Sequence, residues 1–430
     1  MQKLLLFFTL LAAQQLFAQT AYDEYYTEDR LRYEDYIYQE GIFSIKFHPN
    51  DDNLAMPAIP LYGSKTLLLS FDDLYEDYVN YSYTIVHCNA DWTPSNLLPQ
   101  EYLSNFTDYY LEEYEYSLNA LVPYTHYNLQ IPNSNTRFTK SGNYLLIIYR
   151  DDDKNNRVLT RRFFVYEDVA SVGAQVKRAT QVEKMNTHQE IDFTINHTNY
   201  TIQNPFQDLQ VHIYQNQRWD NVLTTLKPQF VQNQSLVYNY DDINTFSGGN
   251  EFRFFDIKNL QVLTQNVART TRDSLWYVYL KAQAPKPISK YAVFFDINGQ
   301  FVVRRLDADN SDTEADYAYV DFYLDAPMPY ADGDVYIFGK ITDWKLLPQF
   351  KLQYDYNRKA YKGQILLKQG YYNYMFATLK DGNSKINTRI FEGEHWETEN
   401  TYQFFIYNRE VGQRYDRLIG YSTATSEDLY

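Results

Sequence analysis

The chain has 430 residues, a formal net charge of −16 and one cysteine. The charge and the cysteine count each argue against a class of protein. So negative a chain is a poor partner for nucleic acid or for anionic lipid surfaces. One cysteine cannot form an intrachain disulfide, so stability must come from core burial, and the length is sufficient for three or four domains. Tyrosine, with 44 residues, suits both half-buried strands and interfaces, and the two uses overlap.

The first residues predict an export signal. Lys3 supplies the positive start, residues 4–13 form a short apolar run, and cleavage after Ala18 fits the pattern. The run is too short to cross a bilayer, and no cysteine directly follows the cleavage site to carry a lipid anchor. We therefore predict a signal peptide over 1–18, no transmembrane segment, and a location outside the cytoplasm.

Alternating patterns predict an all-β fold of several tandem immunoglobulin-like sandwiches. After an extended lead-in over 19–40, we place an N-terminal sandwich at 41–168. Residues 144–149 and 158–166 read as two strands joined by the polar tip 151–156, which predicts a hairpin. Residues 97–118 are expected to hold a short helix or an irregular crossover.

The remaining chain is divided into a middle β region at 169–325, a C-terminal sandwich at 326–421 and a polar tail at 422–430. Residues 291–295 and 301–306 flank Asn298-Gly299, a strong hairpin signal because both residues tolerate positive φ. A third hairpin is predicted from 364–367 and 371–377 around Gln369-Gly370. The sequence Phe-Phe-Asp-Ile occurs at 254–257 and again at 294–297, which is weak support for a repeat.

His87, Cys88 and Asp91 resemble a thiol nucleophile beside a base. In a regular strand, however, His87 and Cys88 point to opposite faces, so we interpret Cys88 as a small core residue and His87 as a hydrogen-bonding partner. No metal or cofactor is predicted. The acidic run at 307–312 has aspartate where a calcium loop needs its glycine, and Ala318 where it needs a bidentate carboxylate. No hydrolase or phosphate-binding motif is present either.

The C-terminal sandwich resembles the starch- and glycogen-binding sandwich family. The resemblance rests on residues 335–344, where a strand and glycine precede Trp344, and on residues 369–376. One interpretation makes Trp344 a cap on the core. The alternative makes Trp344 and Trp396 sugar-stacking platforms, which would mean a carbohydrate-binding periplasmic or surface protein.

A set of short motifs is distributed over nearly the whole mature chain. They are His87-Cys88-Asn89-Ala90-Asp91-Trp92, Tyr124-Thr125-His126-Tyr127, Ser141-Gly142-Asn143-Tyr144, Arg161-Arg162-Phe163, Asp296-Ile297-Asn298-Gly299, Glu397-Thr398-Glu399-Asn400-x-Tyr402 and Arg414-Tyr415-Asp416-Arg417-Leu418-Ile419-Gly420-Tyr421. With them the chain resembles the type IX secretion system plug protein family, long described as a domain of unknown function.

That resemblance implies a non-enzymatic periplasmic protein on the inner side of the outer membrane. Such proteins bind the giant outer-membrane β-barrel translocon (SprA-type), and other secretion subunits are further candidate partners. The protein would seal the periplasmic opening of the barrel. The resemblance singles out no contact residues, and we interpret its densest motifs as structural: His87, Cys88, Asp91, Trp92, Ser141, Gly142, Asn143 and Tyr144.

Overall fold

The structure is a computed structural model that describes residues 30–75, 77–287, 289–331, 333–380 and 385–426. The predicted signal peptide, residues 19–29 of the lead-in and the last four residues of the tail lie outside the described residues. Strands dominate, as the alternating patterns predicted. The α-helices are α1 Pro99–Tyr102, α2 Pro205–Asp208, α3 Ser311–Glu314 and α4 Arg389–Glu392. None of the helices in the described part of the chain is long and apolar enough to cross a membrane.

The first sandwich packs two sheets over one core. Its strands are β1 Tyr36–Ile37, β2 Ile42–Pro49, β3 Ala58–Pro60, β4 Leu67–Asp73, β5 Tyr81–Cys88, β6 Leu103–Asn105, β7 Asp108–Tyr110, β8 Glu113–Tyr116, β9 Thr125–Ile131, β10 Thr136–Phe138, β11 Gly142–Arg150 and β12 Arg157–Tyr166. One sheet runs β1-β12-β11-β5-β7 and the other β2-β4-β9-β8. Inward residues such as Leu69, Leu146 and Phe163 alternate along the strands and meet between the sheets.

Two predictions within this sandwich are confirmed. Strands β11 and β12 form the antiparallel hairpin around the tip at 151–156, with Tyr144 opposite Phe163. The segment at 97–118 contains the short helix α1, after which β6, β7 and β8 carry the chain from one sheet to the other.

The second unit begins with a five-stranded sheet and one strand of another. Its strands are β13 Ser171–Arg178, β14 His188–Asn196, β15 Leu209–Gln215, β16 Phe230–Gln232, β17 Ser235–Tyr238 and β18 Thr245–Ser247. The order β13-β14-β17-β16, with β18 on β14, leaves β15 to belong to the opposite sheet. The core between these two sheets includes Ile191, Phe193 and Ile213.

The third unit is a ten-stranded sheet that encloses its own core. Its strands are β19 Arg253–Asp256, β20 Val267–Arg272, β21 Trp276–Leu280, β22 Phe301–Val303, β23 Tyr317–Asp325, β24 Gly333–Phe338, β25 Lys351–Asp355, β26 Ala360–Lys368, β27 Gly370–Lys380 and β28 Ile386–Asn387. Phe255, Phe322 and Phe376 come from different parts of this series and share one buried cluster.

Two predicted hairpins in the third unit are wrong. Residues 291–295 form no strand, and Phe301–Val303 pairs with Gly370–Tyr372 instead. Strands β26 and β27 both form, but β26 pairs with β23 and β25 while β27 pairs with β19, β22, β24 and β28. The chain therefore changes partner strands at Gln369. A local turn signal cannot reveal this, because each strand finds its neighbours far along the sequence.

The chain then returns to the second unit. Strand β29 Thr401–Asn408 pairs with β15, placing Leu209 opposite Asn408, and β30 Arg417–Thr425 pairs with β29. Phe404 and Ile406 join the core of the second unit, so the third unit is inserted into a discontinuous second sandwich. The structure thus differs from the predicted division into a middle region at 169–325 and a C-terminal sandwich at 326–421. Strands β19 to β23 share a sheet and core with β24 to β28, whereas β29 and β30 belong to the second sandwich. Both faces of β29 are buried, so its apolar pattern does not specify which sheet it joins.

Removal of residues 401–430 should unfold the second sandwich selectively, because it deletes two of the three strands in one of its sheets. Limited proteolysis with mass spectrometry should then find rapid cleavage within 169–250, whereas 42–166 should stay resistant as in the intact chain. Equal resistance of 169–250 before and after truncation would contradict the discontinuous architecture.

Candidate functional site

His87 lies at the end of β5 and its imidazole is fully engaged within the protein. Nε2 lies 3.0 Å from the carbonyl of Ser141, which can only accept, so Nε2 donates. Nδ1 is then the acceptor for the hydroxyl of Ser95 at 2.8 Å. Burial lowers the pKa of His87 to about 4, so the ring stays neutral near pH 7. Neither nitrogen is available to a substrate.

Position 142 requires glycine because the imidazole of His87 leaves no space for a side chain there. The φ of Gly142 is +144°, and a Cβ there would lie 2.5 Å from Nε2 of His87. The neighbouring Ser141 is buried and donates its hydroxyl to Glu167 at 2.6 Å. Tyr144 packs edge-on against the imidazole, with 4.9 Å between the ring centres. Residues 141–144 thus pack closely around the imidazole of His87.

Cys88 points to the other face of the sheet, as alternation predicted. It is fully buried in a small cluster with Leu145 and Ile147, which Leu31 and Tyr33 of the lead-in cover. Burial, followed by the charge of Asp91, raises the pKa of the thiol to about 12. Asp91 itself is exposed, and it accepts hydrogen bonds from the backbone and hydroxyl of Thr93. His87, Cys88 and Asp91 are therefore not assembled as a nucleophile and its base.

The same motif joins the first sandwich to the second. Asn143 donates to the carbonyl of Asn89 at 3.1 Å and accepts from the hydroxyl of Tyr407 at 2.8 Å. The backbone N–H of Ala90 donates to Asp416 at 2.9 Å. Residues from two of the short motifs, at 87–92 and 414–421, thus bond to each other across the junction.

An aromatic stack extends this junction. Trp92 packs edge-on against Trp219, with 5.6 Å between the ring centres, and the guanidinium of Arg162 lies 3.5 Å from the centre of the Trp219 ring. The backbone N–H of Arg162 also donates to Asp35 at 2.7 Å. Asp35 belongs to the lead-in, whose Glu34 pairs with Lys345 of the third unit at 2.6 Å. The described end of the lead-in therefore contacts both the first sandwich and the third unit.

A buried ion pair connects the first sandwich to the third unit. Nζ of Lys368 lies 2.6 Å from a carboxylate oxygen of Asp72, and both side chains are almost completely buried. His126 and Tyr317 bond to the same carboxylate, each at 2.6 Å. Burial alone would raise the pKa of Asp72, but the ammonium of Lys368 and the bond from His126 outweigh it and hold the pKa below its ordinary value.

The ammonium of Lys368 has further partners on both sides. It donates to the carbonyl of Asp312 at 2.7 Å and lies 4.0 Å from the ring centre of Tyr124. A mainly apolar cavity of about 250 Å³ lies beside the pair, between strands of the first and third units. Ile42, Phe301 and Phe350 are among its lining residues.

The two tryptophans proposed as sugar platforms differ in their exposure. Trp344 is 2% exposed, packs with Phe252 and Phe338, and is covered by Gly299, where a Cβ would lie 2.4 Å from the indole. Trp344 therefore presents no ring face to a sugar. Trp396 is half-buried beneath the guanidinium of Arg178, which lies 5.4 Å from the ring centre.

Two of the three aspartates in the acidic run at 307–312 form ion pairs within the protein. Asp307 pairs with Arg305 at 3.1 Å, and Asp312 pairs with Lys46 of the first sandwich at 3.0 Å. Asn310 caps helix α3 by accepting from the N–H of Asp312. Across the ranges that the structure describes, no group of three histidine, cysteine or acidic side chains is placed to hold a metal ion.

Several of these residues escaped the sequence analysis as individuals. Asp72 and Lys368 are almost 300 positions apart, and nothing near either residue indicates a buried charge. His126 and Arg162 lie inside two of the recurring motifs, which was the one signal available for them. Trp219 and Asp35 carried no signal.

Taken together, the fold and the junctions define a class of protein: an all-β assembly of sandwiches whose motif residues join its units. A family model described as the type 9 secretion system plug protein 1st domain matches residues 42–167. A crystal structure of a hypothetical protein from Parabacteroides merdae is 32% identical, covers 92% of this chain and 100% of its own, and superposes with a TM-score of 0.88. No curated protein matches the sequence.

The chain belongs to the type 9 secretion system plug protein family. The resemblance drawn from the short motifs is thereby confirmed, and with it a role in type 9 secretion.

Replacement of Gly142 by alanine should destabilise the protein by more than about 2 kcal/mol, because the new Cβ meets His87 and the backbone φ is positive. Urea unfolding monitored by fluorescence measures this change. Gly173→Ala is the matched control, since a Cβ there meets nothing within 4 Å, and its effect should stay within about 0.5 kcal/mol. Equal effects of the two substitutions would contradict the close packing of His87 against Gly142.

Lys368→Met should cost about 3–5 kcal/mol at pH 7, because it leaves the buried carboxylate of Asp72 without its cation. The folded-state pKa of Asp72 lies below its unfolded value. The ionised carboxylate therefore stabilises the fold above about pH 4, and this stabilisation is lost as the pH falls through the folded pKa. The difference in free energy of unfolding between the variant and the wild type should accordingly become smaller in acid. Unfolding curves at several pH values test this, and a difference that grows in acid would contradict it.

Proposed function

We propose that this protein is a non-enzymatic periplasmic plug that binds the outer-membrane barrel of the type 9 secretion system and seals its periplasmic opening. The observation that carries the proposal is membership of the plug family, supported by a relative that matches over nearly the whole chain. A pore wide enough for folded cargo would leak unless something closed it, which is the physical need that such a protein meets.

The junctions described above suit this task. A plug has to resist deformation, because a flexible string of domains would leave gaps at the rim of a pore. Here the first sandwich is fixed to the second through Asn143 and Tyr407, and to the third unit through Asp72 and Lys368. Buried, mutually satisfied polar contacts of this kind allow few alternative domain arrangements.

The chemistry of the motif residues also supports a role by contact. His87 is neutral and bonded at both nitrogens, and the thiol of Cys88 is buried with a raised pKa. Both motif residues are thus engaged inside the protein, which supports a structural role for them. A periplasmic location agrees with the predicted signal peptide and with the negative charge, which keeps the protein soluble.

Affinity purification of the tagged, full-length protein from gently solubilised membranes should recover a very large outer-membrane barrel, identified by mass spectrometry. An unrelated tagged periplasmic protein of similar acidity is the control. In cells without the gene, a large hydrophilic dye should enter the periplasm faster, and wild type and Gly173→Ala should both restore the barrier. Absence of the barrel from the purified material, together with unchanged dye entry, would overturn the proposal.

A further inference from the structure

Strand β8 forms an open edge of the first sandwich. It is the last strand in the order β2-β4-β9-β8, and all four of its residues are exposed. Its register places Tyr114 opposite Tyr127 and Tyr116 opposite Thr125. An edge of this kind presents unpaired backbone groups to any strand that can align with it.

The outward backbone groups of β8 can be identified. Just beyond the strand, the N–H of Ser117 donates to the carbonyl of Tyr124, which makes these two residues a hydrogen-bonded pair. In an antiparallel ladder such pairs alternate with non-bonded ones, so Glu115 and Glu113 bond to β9. The N–H and C=O groups of Tyr114 and Tyr116 therefore point away from the sheet.

The protein already uses this edge one step further along. Leu118 has the same alternation as Tyr116 and Tyr114, and its N–H donates to the carbonyl of Thr313 in the third unit at 2.8 Å. The intramolecular interface thus continues directly into the open stretch at 114–116. An added segment would extend a contact that the molecule makes with itself.

The two faces of the edge differ in chemistry. Glu113 and Glu115 project from one face and are exposed, and the carboxylate of Glu115 lies 3.4 Å from the side-chain amide nitrogen of Asn310. Within the described ranges, no lysine or arginine forms an ion pair with Glu113 or Glu115. Tyr114 and Tyr116 occupy the other face, 40% and 56% exposed, and Tyr78 packs on Tyr114 with 4.6 Å between ring centres.

We infer that β8 is a docking edge for an extended segment of a partner protein in which lysine or arginine alternates with apolar residues. The basic side chains would lie beside Glu113 and Glu115, and the apolar ones beside Tyr114 and Tyr116, because side chains on neighbouring strands share faces. Backbone bonds to Tyr114 and Tyr116 would add the segment to the sheet. A second copy of β8 is a poorer occupant than a basic segment, since its glutamates would lie beside the glutamates of the first copy.

The inference goes beyond the plug role and does not depend on it. Its test uses the full mature chain and a short fluorescent peptide of alternating lysine and valine, with an alternating glutamate and valine peptide for comparison. Fluorescence anisotropy should detect binding of the basic peptide alone. Hydrogen exchange should show new protection at the amides of Tyr114 and Tyr116.

Two matched pairs of variants make the test specific. Glu113→Lys with Glu115→Lys should weaken peptide binding about tenfold or more, since two favourable charge pairs become unfavourable. Glu183→Lys with Asp273→Lys changes the net charge equally at distant exposed sites and should have little effect. Tyr116→Pro should abolish protection because it removes an outward N–H that the fold does not use, whereas Tyr116→Val should retain it.

Several outcomes would overturn the inference. One is no binding of the basic peptide. Another is binding that both charge-changed pairs reduce equally, since this would reflect net charge alone. Binding that Tyr116→Pro leaves intact would place the peptide elsewhere, and sedimentation showing β8-dependent dimers would identify a second copy as the occupant. Circular dichroism of each variant confirms that the fold is retained before binding is compared.

Discussion

The buried contact between Asp72 and Lys368 is the constraint on which the arrangement of the three units most depends. Transfer of two charges out of water is costly, and an ion pair repays that cost only when its geometry is good and its remaining hydrogen-bonding positions are filled. Here His126 and Tyr317 complete the carboxylate, while the carbonyl of Asp312 and the ring of Tyr124 complete the ammonium. Because the partners come from different units, a small rotation between those units would leave a bare charge inside the protein. The pair therefore selects one orientation of the third unit against the first.

Three of the short motifs, at 87–92, 141–144 and 414–421, have a common explanation in this arrangement. Asn143, Ala90 and Asp416 each make a contact that crosses from one sandwich to another, and Gly142 leaves room for an imidazole that supports the same corner. Small and polar residues occur at these positions because two backbones approach closely there and their polar groups need partners. His87, Cys88 and Asp91, which resemble a catalytic centre in the sequence, have separate local partners in the folded chain.

The sequence predicted features set by neighbouring residues and missed those set by distant ones. The strands at 144–149 and 158–166 form the expected hairpin because the polar tip and both apolar runs are contiguous. Alternation also placed His87 and Cys88 on opposite faces correctly. By contrast, the segment at 291–295 has the composition of a strand, yet Asp296 accepts hydrogen bonds from the N–H groups of Phe252 and Asn298, and the strand forms only after the turn. The partner of β29 could not be predicted, since both of its faces are buried and an apolar run does not specify which sheet receives it.

The insertion of the third unit into the second sandwich has a consequence for the order in which the units can fold. The first sandwich consists of one continuous stretch, so it can become compact as soon as that stretch has emerged. The second cannot close until β29 and β30 arrive, which requires the whole of the third unit to have been delivered first. Until then the sheet of β13, β14 and β17 holds an uncovered apolar face. A helper that shields this face, or rapid completion of the third unit, would protect the incompletely folded chain from association with other chains.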